Sequence, residues 1–380
     1  MPLPNPRFSI LRSEYRSASP TRGKCLFPSG IILLALLLGQ PITPSAQTLS
    51  SASFELPGLW SSSTSWGDYD GDGDPDLVLT GLTGPADNCV PIARVYRNDN
   101  GSLTDISAGL EGVYLGAAAW GDYDGDGDLD LAVTGLTSEG EGSLSLYEND
   151  LGQFSEDLAQ SDLTPVRYSA LAWGDYDNDG DLDLVVSGMT AAGNTRTNLY
   201  RNPRTDRVRI GSPLGGRPLL ELDSPNSARL INLNQGSVAW GDYDNDGDLD
   251  LALSGIGTAG TRQTVLFRND PDGNLTRDDR NDSVSPVSSG DLAWGDVDND
   301  GDLDLAVSGW SNEWEAVLEI YTNSAGILRE DESFSSTRII GSIAWGDYDN
   351  DGDLDLAATG QTSTSDRFAF ILRNDASGTL

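Results

Sequence analysis

One phrase recurs six times along the chain, so any fold it adopts must give six copies equivalent surroundings. The copies read SWGDYDGDGDPDLVLTG from Ser65, AWGDYDGDGDLDLAVTG from Ala119, AWGDYDNDGDLDLVVSG from Ala172, AWGDYDNDGDLDLALSG from Ala239, AWGDVDNDGDLDLAVSG from Ala293 and AWGDYDNDGDLDLAATG from Ala344. Their tryptophans stand at 66, 120, 173, 240, 294 and 345, in steps of 54, 53, 67, 54 and 51 residues. Periods of this length belong to solenoids, propellers and arrays, whose units bury their apolar faces against one another.

Within a unit, an apolar stretch such as 169–173 leads into an Asp-rich loop and another, such as 182–187, leads out of it. A third stretch such as 198–201, an Asn-Asp-Gly type of turn as at 149–152, and a short fourth stretch near Phe154 complete the unit. Short β-branched or aromatic runs bounded by Gly, Asn and Asp predict strands, and four strands per unit without helical periodicity predict a propeller blade. If Leu380 were joined to Gln47, the step from Trp345 round to Trp66 would be 55, close to the internal steps. The expectation is an all-β, six-bladed propeller of four-stranded blades, with residues 48–53 closing the last blade as its outer strand. A seven-bladed or incomplete propeller is the alternative.

Each loop has the form Asp175-Tyr-Asp177-Asn-Asp179-Gly180-Asp181-Leu-Asp183. Carboxylates at positions 1, 3, 5 and 9 can converge on one cation, with the carbonyl of position 7 as a further oxygen, while glycine at position 6 permits a sharp turn. Position 4 is Gly71, Gly125, Asn178, Asn245, Asn299 or Asn350, the residue types that best accept positive φ. The candidate metal residues are Asp68, Asp70, Asp72, Asp74 and Asp76; Asp122, Asp124, Asp126, Asp128 and Asp130; Asp175, Asp177, Asp179, Asp181 and Asp183; Asp242, Asp244, Asp246, Asp248 and Asp250; Asp296, Asp298, Asp300, Asp302 and Asp304; and Asp347, Asp349, Asp351, Asp353 and Asp355. An EF-hand would need a Glu at position 12, where these loops have Leu79, Val133, Val186, Leu253, Val307 or Ala358 in an apolar run. A hard, all-oxygen, multiply charged loop suits Ca²⁺ better than Mg²⁺, so about six Ca²⁺ are expected. Turn capping by the acids alone is the competing reading.

Composition narrows the chemistry. The 380 residues carry 60 Asp and Glu against 23 Lys and Arg, a net charge of −37, and no His. Such an acidic balance argues against nucleic acid, whose phosphates are held by clustered Lys and Arg. Without His, and with Lys24 the single lysine, imidazole and Schiff-base chemistry are excluded for a chain lacking its first residues. Those residues resemble a secretory signal: Arg7, Arg12, Arg16, Arg22 and Lys24 against Glu14 precede an apolar run over 31–38. That run is too short for a transmembrane helix, which needs about 20 residues. We therefore expect residues 1–46 to be a signal peptide, 47–380 the propeller, and the protein to be secreted, extracellular or periplasmic. Cys25 would leave with the leader and Cys89 would stand alone.

The loops and the blade period resemble the FG-GAP family in its VCBS form, whose calcium-binding blades also build the head of integrin alpha chains. The DxDxDGxxD pattern matches in all six copies, and Trp-Gly pairs such as Trp120-Gly121 stand where that family has Phe-Gly. The resemblance covers about residues 47–380 and implies calcium and a binding or adhesion role toward an extracellular protein or glycan. It also implies that some relatives are lectins and a minority act on carbohydrates. One departure is the count, a loop in every one of six blades, where integrin-like heads have seven blades and only some carry metal.

Outside the repeat, Trp310 and Trp314 are candidate ligand-binding aromatics, with a local hydrophobic plug as the other reading. Arg196, Arg201, Arg204, Arg207, Arg209, Arg217 and Arg229 crowd one long step. That segment either binds an acidic ligand or docks on the acidic blades. The recurring Trp and Tyr are expected to pack between blades. The function that follows is a non-enzymatic binding or adhesion module stabilised by calcium. A lectin-like sugar binder is the alternative, and a carbohydrate-active enzyme the third.

Overall fold

A computed structural model describes residues 56–374, apart from 86–87, 161, 204–218, 271–272, 332–333, 335–337 and 365–366. Six small antiparallel sheets are arranged as a six-bladed β-propeller. Blade 2 shows the plan, with strands Tyr114–Gly121, Asp130–Leu136, Gly142–Asp150 and Gln153–Glu156 paired in chain order. The expected fourth stretch near Phe154 is the outermost of these strands. Among the described residues the helices are one turn at Ser224–Ser227 and a 3₁₀ turn at Asp279–Asn281, and none is long and apolar enough to cross a membrane.

The second strand of blades 2 to 5 is buried on both sides because a neighbouring blade lies against each face. In blade 3, Asp183–Met189 sits between Arg167–Gly174 and Thr195–Arg201 and is buried along nearly its whole length. The apolar clusters accordingly lie between blades. Leu184, Val186 and Tyr200 of blade 3 pack with Ala132, Leu144 and Leu146 of blade 2. Val185 and Leu199 face the other way, onto Leu251 and Leu253 of blade 4.

The Trp-Gly pair joins one blade to the next. A Cβ on Gly67, Gly121, Gly174, Gly241 or Gly295 would fall 2.6–2.8 Å from the indole of Trp120, Trp173, Trp240, Trp294 or Trp345 in the following blade. Only glycine lets the ring lie flat on the backbone there. The indole N–H groups of Trp120, Trp173, Trp294 and Trp345 donate back to the carbonyls of Ser65, Ala119, Ala239 and Ala293 at 3.0–3.4 Å. Tyr69, Tyr123, Tyr176 and Tyr243 stack on the same indoles, 5.5–6.2 Å between centroids and within 12° of parallel. The recurring aromatics are thus inter-blade packing, as expected.

The innermost strand bends at a fixed place. Ser61, Leu115, Tyr168, Gln235 and Ser289, each five residues before its tryptophan, all have φ between 51° and 57°. In blade 4 this break divides the strand into Leu233–Asn234 and Val238–Gly241. The long step in blade 3 leaves an outer strand of two residues, Glu221–Leu222.

Blade 6 has three strands among the described residues, Ile340–Gly346, Asp355–Gln361 and Arg367–Leu372. Residues 48–53, expected to supply the fourth, lie outside the described residues. The face of blade 6 toward blade 1 is more open than its counterparts, since Thr359 is exposed where Thr134, Ser187, Ser254 and Ser308 are buried. Cys89 is disulfide-bonded in the full-length chain; the expectation that it stands alone concerned the chain without residues 1–46.

Two outcomes follow from this packing. Gly174→Ala should lower stability by roughly 1–3 kcal/mol, since a methyl there overlaps Trp240; urea denaturation would measure it, and an unchanged midpoint would refute the latch. Deleting residues 47–53 should lower the melting temperature and promote association through an unpaired edge. A monomer of unchanged stability after that deletion would rule out closure by this segment.

Candidate metal loops

Each loop joins the innermost strand to the second strand, so all six project from one face of the ring. The backbone takes the form that the residue types imply. Asn178, Asn245, Asn299 and Asn350 at position 4 have φ of 55–59°, and the position-6 glycines, such as Gly127 and Gly180, have φ of 94–100°.

The carboxylates are fixed by backbone N–H groups. Position 1 accepts from positions 5 and 6 in every copy, as Asp179 and Gly180 donate to the two oxygens of Asp175 at 3.0 Å. Position 5 accepts from position 7, as in Asp181 N–H to Asp179 at 3.1 Å. Position 9 is the most deeply held, with Asp76, Asp130, Asp183, Asp250, Asp304 and Asp355 at 0–1% exposure. One oxygen of Asp183 accepts from the Tyr176 N–H at 3.2 Å and the other from the Asn202 N–H at 2.7 Å, an arrangement repeated in all six blades.

These bonds cap the turns without exhausting the acids. Single ligand oxygens of Asp68, Asp70 and Asp76 lie within 4.8 Å of one another, as do those of Asp122, Asp124 and Asp130 and of Asp175, Asp177 and Asp183. In blades 4 and 5 the sets are Asp242, Asp244 and Asp246, and Asp296, Asp298 and Asp300. Buried oxygens of Asp177, Asp244 and Asp349 have no hydrogen-bond partner. Turn capping alone does not account for them. An all-oxygen set with unpaired buried lone pairs fits a hard divalent cation.

Position 7 differs from the rest. The side chains of Asp74, Asp128 and Asp302 turn outward to accept the N–H of Asn100, Leu151 and Ala325 in the hairpin beside them, at 2.7–3.1 Å. Asp248, Asp302 and Asp353 also accept from Asn178, Asn245 and Asn299 of the preceding loop, at 2.6–2.8 Å. This leaves the position-7 backbone carbonyl, rather than its carboxylate, for a cation.

The sequence reading missed the asparagine that follows the third strand. Asn149, Asn202, Asn269, Asn323 and Asn374 donate their side-chain amides at 2.5–2.9 Å to the carbonyls of Tyr69, Tyr123, Tyr176, Tyr243 and Val297 in the preceding blade. Its signal was a fixed separation of 19 residues from the position-9 acid in five blades and 22 in the first.

Burial raises the position-3 and position-9 carboxyls above their ordinary value of 3.8. For Asp70, Asp124, Asp177, Asp244, Asp298 and Asp349 desolvation comes first and the position-5 acid adds to it. Desolvation carries Asp76 and Asp304 to about 6, and Asp130, Asp183 and Asp250 to about 8, against the lowering effect of their backbone hydrogen bonds.

Trp310 ends the second strand of blade 5, opposite the end that begins at the loop acid Asp304, and Trp314 lies in the turn that leads to the third strand at Ala316. Trp310 is half-buried, whereas Trp314 is 68% exposed, with ring centroids 6.2 Å apart in an edge-on pair. Buried Arg262 of blade 4 places its guanidinium 4.0 Å from the centre of the Trp314 ring and donates to Ser288 Oγ at 3.0 Å. In the Arg-rich step, Arg204, Arg207, Arg209 and Arg217 lie outside the described residues. Arg201 reaches the acids of its own blade, pairing with Asp177 and Asp179.

The fold and these loops define a class: a propeller of repeated blades, each carrying an Asp-rich loop of metal-binding form at one face. A family model described as an FG-GAP-like repeat matches residues 68–133, 122–186 and 242–307. The chain is built of FG-GAP-like repeats and belongs to that family. It is similar to cartilage acidic protein 1 of Xenopus tropicalis, 26% identical over 160 residues, which is 41% of this chain and 23% of that protein. It therefore spans about a quarter of that relative's length. Among solved structures it is similar to an Aleuria aurantia lectin mutant in complex with alpha-methyl-L-fucoside, at TM-score 0.46 and 10% identity over 84% of this chain and 96% of that one. It is also similar to a Trypanosoma rangeli sialidase in complex with the inhibitor DANA, at TM-score 0.43 and 10% identity over 83% and 55%.

The raised carboxyls set a pH dependence. A carboxyl whose pKa rises on folding binds more protons in the folded chain between its two pKa values, so stability falls as pH rises through that window. Metal-free protein should therefore melt at a higher temperature at pH 5 than at pH 8, and saturating Ca²⁺ should remove that trend by stabilising the ionised loops. Equal melting temperatures of the metal-free protein at both pH values would sink the argument.

Proposed function

We propose that the chain is a secreted, calcium-stabilised β-propeller that acts as a binding or adhesion module for an extracellular protein or glycan, with residues 1–46 as its export signal. The observation that carries the calcium reading is the convergence of three carboxylates in each of the loops of blades 1 to 5, together with buried oxygens of Asp177, Asp244 and Asp349 that have no hydrogen-bond partner. Positions 1, 3, 5 and 9 would hold the ion with the position-7 carbonyl. The ion supplies the positive charge that relieves repulsion among five acids in one turn.

A binding role is supported by where polar and aromatic groups remain available. Half of the acids, 30 of 60, lie in the loops, and the chain has neither a His nor a Lys beyond Lys24 for proton transfer or Schiff-base chemistry. In a cavity of about 300 Å³, Glu111 and Glu156 each accept from a serine hydroxyl, Ser143 at 2.8 Å and Ser145 at 2.9 Å. Trp314 favours a lectin-like version of this reading. One ring face is backed by the Arg262 guanidinium, and an exposed indole held in this way is a platform on which a sugar ring or an apolar partner residue can stack.

Removing calcium should lower stability by about 2.7 kcal/mol for each site held at a hundredfold excess over its Kd. Calorimetry with and without chelator tests this, and an unchanged melting temperature after complete metal removal would refute it. Screening the calcium-loaded protein on a glycan array, with a turnover assay on acidic polysaccharides, separates binding from catalysis. Trp314→Ala should abolish any glycan signal at Trp314 while leaving the melting temperature within about 1 °C, as expected for an exposed position. Retained glycan binding by that variant would move the site elsewhere.

A further inference from the structure

The residue just before the recurring asparagine differs from blade to blade, and it stands beside the metal loop. In order it is Arg97, Glu148, Arg201, Arg268, Thr322 and Arg373. All six occupy one structural position at the end of the third strand, because the asparagine after each is pinned to the position-9 acid.

Their side chains meet the loops differently. In blade 3, Arg201 Nε pairs with Asp177 Oδ2 at 2.5 Å, and Nη2 lies 3.5 Å from Asp179 Oδ2. Blade 6 repeats this geometry, with Arg373 Nε 2.8 Å from Asp349 Oδ2 and Nη2 3.5 Å from Asp351 Oδ2. Arg268 in blade 4 is shared, 3.9 Å from Asp244 and 3.0 Å from Asp270. Arg97 in blade 1 is turned to Asp99 at 2.9 Å. Blade 2 reverses the charge, with the carboxyl of Glu148 in reach of Asp124. Blade 5 has the neutral Thr322.

These contacts fall on positions 3 and 5, the same carboxylates that would hold the ion. A guanidinium there occupies lone pairs needed for coordination and repels a divalent cation at short range, whereas a sixth carboxylate adds attraction. Resting on the calcium reading above, we propose that the residue before the asparagine sets the calcium affinity of each loop, so that the six sites fill in order. Blade 2 fills first and blade 5 next. Blades 1 and 4 follow, and blades 3 and 6 fill last, because there the arginine already neutralises the empty loop. Around a six-bladed ring the first two lie opposite each other, as do the last two, so calcium would load the ring in opposed pairs.

Calcium titration of the full-length chain by isothermal calorimetry against a competing chelator tests this, with circular dichroism confirming that each variant folds. Wild type should show graded affinity classes. Arg201→Thr and Arg373→Thr should each move one site from the weakest class upward by at least about tenfold. Glu148→Gln should weaken the tightest site by a similar factor, and Thr322→Arg, which removes nothing from the fold, should send one site to the weakest class. Six equivalent sites in wild type, or classes unmoved in all four variants, would overturn the proposal while leaving the loops as calcium sites. No calcium bound by wild type would instead remove the reading on which it rests.

Discussion

A carboxylate with almost no exposure and both oxygens on backbone N–H groups is the constraint around which each blade is assembled. Asp183 is the clearest case: Tyr176 donates from the loop and Asn202 from the end of the third strand, so one side chain fixes how the first three strands of the blade meet. The asparagine then extends the bond outward, since its amide reaches the Tyr123 carbonyl in the preceding blade. Burying an acid in this way costs solvation, and the raised position-9 carboxyls express that cost. Two short hydrogen bonds and an inter-blade tie offset it. The phrase is repeated six times because the same three-way junction is needed in every blade.

The same junction places the metal chemistry. Once position 9 is locked, the loop must turn back within eight residues, and left-handed backbone at positions 4 and 6 is what accomplishes it. Positions 1 and 5 spend their hydrogen bonds inside the turn, and in blades 3, 4 and 6 position 3 retains one buried oxygen without a hydrogen-bond partner. Unpaired buried oxygens in a native fold call for a ligand, and a divalent cation is the one the donor set accepts.

Much of this was legible in the sequence because it repeats. Blade number, strand order and the acid loops follow from spacing, and the recurring Trp and Tyr announced packing between blades. Less legible were features that repeat in role but not in residue type. The bend in the innermost strand is built from Ser61, Leu115, Tyr168, Gln235 and Ser289, which share no common chemistry; in blades 1, 2 and 3 their left-handed φ coincides with a shift in register against the second strand. The residue before the asparagine changes from Arg to Glu to Thr, so a search for a shared phrase passes over the position where the blades differ most. The Arg-rich step was read as one charged segment, yet Arg201 belongs to blade 3 as a structural position and pairs with that blade's own acids.

Position 4 shows how two residues equal in backbone terms can differ in consequence. Glycine and asparagine both accept the left-handed turn, so Gly71 and Gly125 are conformationally interchangeable with Asn178, Asn245 and Asn299. Only asparagine carries an amide, and in blades 3, 4 and 5 that amide reaches the position-7 acid of the next loop. Four consecutive loops, from blade 3 to blade 6, are therefore joined edge to edge by hydrogen bonds that the first two loops cannot make through glycine. A carboxylate that the sequence counts as a ligand serves instead as the receiving end of this strut. An ion that fixes one of these loops acts on a turn already bonded to its neighbour, which gives these four blades a route for coupling between sites that the glycine loops lack.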